Sequence, residues 1–169
     1  MTVDMISLTM QVLSLIIAIY ISIINNLKNV YIINFIFNAV QLIMYLCIGD
    51  KVTAISYIII VARSFVVLYR DKIHCSIVPW LFCLAHVLTY IFTGSNITQL
   101  ISTITPCVMT LFQWYAKSNQ NMRVGSALAN AAWFMYNLLS GLHIAAIMRV
   151  VLVLSNVITY VHNRGHVEE

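Results

Sequence analysis

Long apolar runs separated by short polar breaks occupy almost the whole chain, and each run approaches the length that a lipid bilayer demands. The runs fall at approximately residues 5–24, 30–48, 52–69, 77–93, 97–115, 123–140 and 143–162. A helix crossing the hydrocarbon core needs about 20 apolar residues, with a range of about 17 to 25. Seven transmembrane helices are therefore predicted. Membrane β-strands are excluded, because they alternate apolar and polar positions over about ten residues. The breaks carry turn chemistry: Asn25, Asn26 and Asn29 end the first run, Gly49 and Asp50 the second, Gly94, Ser95 and Asn96 the fourth, and Gly141 the sixth. Pro79 falls in the first turn of the fourth span, where a missing N–H costs little.

The pattern is written twice. Residues 38–54, NAVQLIMYLCIGDKVTA, lie over residues 130–146, NAAWFMYNLLSGLHIAA, at an offset of 92. Asn38 meets Asn130, Ala39 meets Ala131, Leu46 meets Leu138, Gly49 meets Gly141 and Ala54 meets Ala146. This offset carries spans one to three onto spans five to seven and leaves span four over. One connecting span restores the orientation of the second copy, so the repeats are parallel rather than inverted. The predicted fold class is an all-α membrane protein: seven transmembrane helices as two parallel three-helix bundles joined by a connector helix. Its parts are residues 1–72, the first bundle; 73–96, the connector; and 97–169, the second bundle with a short C-terminal tail. Gly125, Ala129 and Ala132 on span six are small enough to let helices approach closely.

Composition agrees with a polytopic chain. Hydrophobic residues make up 62% of the 169 and charged residues 8%, against about a quarter charged in soluble domains. The bilayer is thus the first partner. Asp4 precedes an apolar run long enough to span, so the first segment is expected to be retained rather than cleaved as a signal. With seven crossings, Lys28, Arg70, Lys72, Lys117, Arg123 and Arg164 fall on one side and Lys51 on the other, while Arg63 and Arg149 lie within spans. The positive-inside rule makes the first side cytoplasmic, placing the N-terminus outside and the C-terminus inside. The net charge of +4 is dispersed between apolar runs, so nucleic acid is not an expected partner. Cys47, Cys75, Cys83 and Cys107 show no CxxC spacing and suggest neither a disulfide framework nor a metal site.

Polar residues within the spans fall on helical stripes. Span five carries Gln99, Thr103, Pro106, Thr110 and Gln113 at spacings of four, three, four and three, and span one has Ser7, Gln11 and Ser14 at equivalent places. Span six carries Ser126, Asn130, Trp133, Asn137 and Ser140, matched on span two by Asn38, Gln41 and Tyr45. Span seven adds Arg149, Asn156 and Asn163, with Tyr57 and Ser64 of span three opposite the first two. Convergence of these stripes between the bundles gives a candidate solute site of Asn38, Gln41, Tyr57, Ser64, Asn130, Trp133, Asn137, Arg149 and Asn156, with Pro106 as a hinge. Amides both donate and accept, and rings stack, which suits an uncharged polar or ring-bearing solute. The same residue types also hold membrane helices together with no solute present. A cavity between the stripes, rather than dry contact, distinguishes the two cases.

Charge refines the picture. Asp4, Asp50, Asp71, Glu168 and Glu169 all lie at ends or in loops, so Arg149 has no acid in any span to pair with. It must snorkel outward, bind carbonyls, face water or meet an anionic group on a ligand. Arg63 is expected to snorkel. Without a buried carboxylate, downhill movement is a simpler expectation than proton coupling; His86 is read as a packing residue. No lysine lies in span seven to carry retinal, and the chain has no HExxH, no GxSxG and no pair of acids, so an enzyme is not expected. No cofactor is implied.

The three-plus-one-plus-three plan resembles that of SWEET sugar transporters and PnuC vitamin transporters, although the SWEET proline-glutamine signature and a PnuC tryptophan-rich motif are absent. Span two ending in LCIGD, the stretch VARSFVVLYRDK of span three, PCVMTLFQW from Pro106 to Trp114, and span six ending in WFMYNLLSG are together similar to the YgjV family of bacterial inner-membrane proteins. That resemblance covers most of the chain and implies a bacterial inner (plasma) membrane location. The SWEET likeness implies a solute-contacting asparagine on the third helix of each bundle; Asn156 holds that place in the second copy and Ser64 replaces it in the first. The expected function is a facilitative small-molecule transporter for a neutral or weakly anionic polar metabolite, such as a sugar or vitamin-like ring compound. The alternative is a non-transport scaffold or partner subunit of the same plan. Self-association into a homo-oligomer is compatible with this layout but not specified by it.

Overall fold

The computed structural model describes residues 3–24, 26–73, 75–93, 96–141 and 143–164. Among these residues the chain forms seven α-helices and no strand: α1 (Val3–Ile23), α2 (Leu27–Ile48), α3 (Lys51–Val67), α4 (Val78–Thr93), α5 (Ile97–Tyr115), α6 (Asn119–Leu139) and α7 (His143–Arg164). A 3-10 turn at Arg70–Lys72 follows α3. One helix stands at each predicted span.

The polar breaks become caps. The Asn26 side chain accepts from the N–H groups of Lys28 and Asn29 at the start of α2, and Asn96 accepts from Gln99 N–H at the start of α5. Asp50 accepts both the N–H and the hydroxyl of Thr53, at 3.1 and 2.6 Å, and so opens α3. These bonds satisfy N–H groups that have no partner within a helix's first turn. Ser118 caps α6 in the same way through Asn121 N–H, which starts that helix at Asn119 rather than at the predicted residue 123. Asn25, Gly94, Ser95, the tail residues 165–169 with Glu168 and Glu169, and the side chain of Ser7 lie outside the described residues.

Both glycines of the repeat end a helix in the left-handed region, Gly49 after α2 at φ 81° and Gly141 after α6 at φ 72°. A side chain there would be strained, which accounts for glycine at both positions. Other repeat pairs keep matching environments: Ala54 and Ala146 are buried, Leu46 and Leu138 exposed.

Consecutive helices pack as neighbours from α1 to α3 and from α5 to α7. α3 also meets α5 and α1 meets α7, closing a ring of six helices, with α4 against α3 and α5. The ring is inside-out by soluble standards. Buried polar residues are about as numerous as buried apolar ones, while Phe92, Ile147, Ile158 and Val161 are more than half exposed. Among the described residues two helical stretches, Leu27–Cys47 and Ala145–Asn163, are long and apolar enough to cross a membrane by length and composition alone. The stripes of α5 and α6 dilute their apolar character, and α4 is short, at 16 residues.

Helices α5 and α6 meet where Gly125 is buried against Phe112: a Cβ on Gly125 would stand 2.5 Å from Phe112 Cγ and 2.6 Å from its Cβ. Both atoms sit close to the α5 backbone, so relief requires the helices to part. Gly125→Ala is expected to cost about 1–3 kcal/mol, the usual range for overpacking. Thermal unfolding in detergent measures it, and an unchanged midpoint would show that the two helices are not in close contact there.

Candidate functional site

Two clamps join the helices near opposite ends of the ring. Towards the end that carries Gly49 and Gly141, Tyr45 of α2 stacks on Tyr57 of α3 at 5.0 Å, Tyr57 meets Trp133 of α6 at 6.1 Å, and Trp133 meets Tyr136 edge-on at 5.1 Å. Such pairs contribute about 0.5–1.5 kcal/mol each beyond their buried area. Towards the other end, Arg70 Nη1 donates to the carbonyls of Gln113 and Trp114, at 2.6 and 3.2 Å, and its guanidinium lies 4.8 Å above the Tyr31 ring. Tyr31 donates its hydroxyl to Gln113 O as well, at 3.1 Å. These carbonyls belong to the last turn of α5, where intrahelical donors run out and a cation complements the helix dipole.

A cavity of ≈70 Å³ lies between the clamps. Asn38, Tyr57 and Arg63 line it from α2 and α3; Pro106, Asn130, Trp133 and Arg149 line it from α5, α6 and α7. A second cavity of ≈20 Å³ lies towards the Arg70 end, with Asn156 and Arg123 in its wall. Asn34, Met109 and Ser126 border both. One water needs about 10–15 Å³ by this measure, so the larger space has room for several.

Six of the ten predicted site residues thus meet around one space: Asn38, Tyr57, Pro106, Asn130, Trp133 and Arg149. Asn156 lines the second cavity instead, its amide donating to Leu152 O at 2.8 Å. Ser64 stands behind Asn38, accepting its amide at 2.9 Å and donating to Ile60 O at 2.8 Å. Gln41 and Asn137 are buried but line neither cavity, and Asn137 Nδ2 has no hydrogen-bond partner. Polar side chains here are largely satisfied by their own helix one turn back, as in Asn130 Nδ2 to Ser126 O at 2.8 Å.

Arg63 corrects the sequence expectation. It does not snorkel: it is 2% exposed, and its Nη1 donates to Pro106 O and to Thr110 Oγ1, both at 3.0 Å. Helical Cα–Cβ bonds tilt towards the helix N-terminus, so this side chain, one turn from the C-terminal end of α3, leaves its backbone pointing back into the ring. Arg149 also turns inward. Its Nη1 donates to Asn130 Oδ1 at 3.1 Å, and its guanidinium lies 5.7 Å from the Trp133 ring. Sequence reasoning also passed over Asn34, although it lies one helical turn before Asn38 on the same face of α2, a spacing that carried the signal.

A family model described as a bacterial inner membrane protein, Imp-YgjV, matches residues 5–166. The chain belongs to the YgjV family. No curated protein and no solved structure matches it. Membership gives this YgjV chain a lipid surround in the bacterial inner membrane, which accounts for its exposed apolar exterior. The polar interior is then the place to look for chemistry, because polar groups facing hydrocarbon are costly.

The Arg63 to Thr110 bond gives a direct test of that interior. Thr110→Val keeps the shape and removes an acceptor from a buried guanidinium. A loss of about 1–3 kcal/mol is expected, the cost of leaving a buried donor unsatisfied. Unfolding in detergent reads it, and a midpoint equal to wild type would mean that Arg63 does not depend on the Thr110 hydroxyl.

Proposed function

We propose that this YgjV-family protein is a facilitative small-molecule transporter for a neutral or weakly anionic polar metabolite, a sugar or vitamin-like ring compound. The observation that carries the reading is the cavity lined from both halves of the ring by amides and guanidinium groups set among apolar side chains, with a second cavity beyond the shared wall of Asn34, Met109 and Ser126. Helices that needed amides and guanidinium groups only as glue would close on them. A space of ≈70 Å³ is smaller than the ligand pockets of about 300–1,000 Å³ that enclose drug-sized solutes, so passage requires the two halves to separate. In this reading they rock about the clamps, with Pro106 as hinge.

The same reading takes all seven helices as membrane spans, in two parallel three-helix bundles with α4 as connector, a plan like that of SWEET and PnuC transporters. Exchanging α1–α3 with α5–α7 turns the α3–α5 contact into the α7–α1 contact, as a two-fold relation between parallel repeats requires. The charge bias puts the N-terminus outside and the Arg70 end in the cytoplasm. A non-transport scaffold is the second reading, and the self-satisfied amides of Asn130 and Asn156 favour it.

Initial-rate uptake of a metabolite panel into proteoliposomes tests transport. At least one solute is expected to enter faster than into protein-free liposomes, and Arg149→Ala to slow it by about tenfold or more, the scale of one lost charge-assisted hydrogen bond. A panel in which nothing moves above background supports the scaffold instead. For topology, Lys51→Cys and Lys117→Cys are placed separately in a cysteine-free background. An impermeant maleimide is expected to label the first from the periplasm and the second only after permeabilisation; the reverse pattern would invert the orientation.

A further inference from the structure

Two guanidinium groups, those of Arg63 and Arg149, line the same cavity. Among the described residues neither has a carboxylate partner, the ion pair there being Arg70 with Asp71 at 3.5 Å. The sequence places every acid at an end or in a loop, so no span can supply one. Burying two like charges without a counter-charge is expensive, and the interior repays the cost only through hydrogen bonds or an ion of opposite sign.

The hydrogen bonds do not complete the account. Each guanidinium has five N–H donors. Arg63 directs Nη1 to Pro106 O and Thr110 Oγ1, while its buried Nε has no partner. Arg149 directs Nη1 to Asn130 Oδ1, a neutral acceptor that leaves its charge without a counter-ion. The other Asn130 group, Nδ2, is bonded to Ser126 O. The charged groups on the cavity wall are thus both cations, among neutral amides and hydroxyls, which favours an anionic visitor over a metal cation.

We infer that the cavity binds an oxyanion, the carboxylate or phosphate group of a small soluble molecule, between Arg63 and Arg149. This rests on the transport reading for the presence of a solute and names the chemical class that the proposed site selects. Planar guanidinium edges match carboxylate and phosphate oxygens in pairs of parallel N–H···O bonds. The space suits a single acidic group, with the Trp133 ring 5.7 Å from the Arg149 guanidinium. The remainder of the solute lies towards the second cavity, past Asn34 and Ser126, whose side chains are neutral.

The experiment uses the full-length protein in a neutral detergent. Its thermal unfolding is followed against sodium phosphate and, separately, sodium acetate, with sodium chloride holding ionic strength constant. A saturable rise in the midpoint is expected with at least one of them, since a ligand held only by the folded state stabilises it. Arg149→Gln and Arg63→Gln should each weaken the apparent affinity by about tenfold or more, the scale of one charge-assisted hydrogen bond. Lys117→Gln, in the exposed loop between α5 and α6 and outside both cavities, should leave that affinity unchanged. Should Arg63→Gln fail to fold, Arg149→Gln decides alone. No rise beyond that in chloride, or equal affinity in Arg149→Gln, would overturn the inference. So would an Arg149-dependent rise with added phosphatidylglycerol but not with phosphate or acetate, which assigns the site to a lipid headgroup. Anion binding without uptake of any solute would leave this inference standing and remove the transport reading; uptake of a neutral solute without anion binding would do the reverse.

Discussion

The fold turns on one buried guanidinium. Arg63 cannot remain in the interior unless acceptors meet it, and the acceptors it finds, Pro106 O and Thr110 Oγ1, lie on a helix from the other half of the chain. Removing one partner from such a group costs several kcal/mol more readily than forming the bond gains them. The bond therefore acts as a constraint on where α3 and α5 stand. With α3 held against α5, Tyr57 is brought to Trp133, Arg70 reaches the last carbonyls of α5, and the space between these contacts is what the site residues surround.

The repeat supplies a scaffold whose two copies have taken different tasks. Gly49 and Gly141 end corresponding helices in the same backbone conformation, and Asn38 and Asn130 both reach the cavity. Where the copies differ, the chemistry differs: Tyr57 stands where the second copy has Arg149, and Ser64 where it has Asn156. Asn38 is turned aside to bond Ser64, whereas Asn130 accepts from Arg149. Each copy thus places one guanidinium on the cavity, but at non-equivalent positions: Arg149 where the first copy has Tyr57, and Arg63 where the second has Ser155.

The seven helices and most of the stripes were legible in the sequence because lipid penalises polar exposure, leaving a periodic record along a helix. Thr103, Pro106, Thr110 and Gln113 are buried on the face of α5 that their spacing predicted. Asn156 and Asn137 were legible as sheltered, but their distribution among cavities was not. Periodicity fixes the angular position of a residue around its own axis; it does not set the height at which a neighbouring helix presents a partner. Arg63 escaped for a related reason. Its proximity to a helix end suggested escape to the interface, while the tilt of its Cα–Cβ bond and the waiting Pro106 carbonyl drew it inward.

By itself the sequence determined seven helices, their polar breaks and the placing of its acids at ends and in loops, since these follow from length, local capping and composition. The closure of the ring through α3 with α5 and α1 with α7 was decided only by tertiary packing. So was the joining of Arg63 and Arg149 in one cavity. They lie on different helices in different copies, and no spacing along a chain measures the distance between two helices. Charge without a partner could be read from the sequence. That two such charges face the same space depends on how the helices fit together.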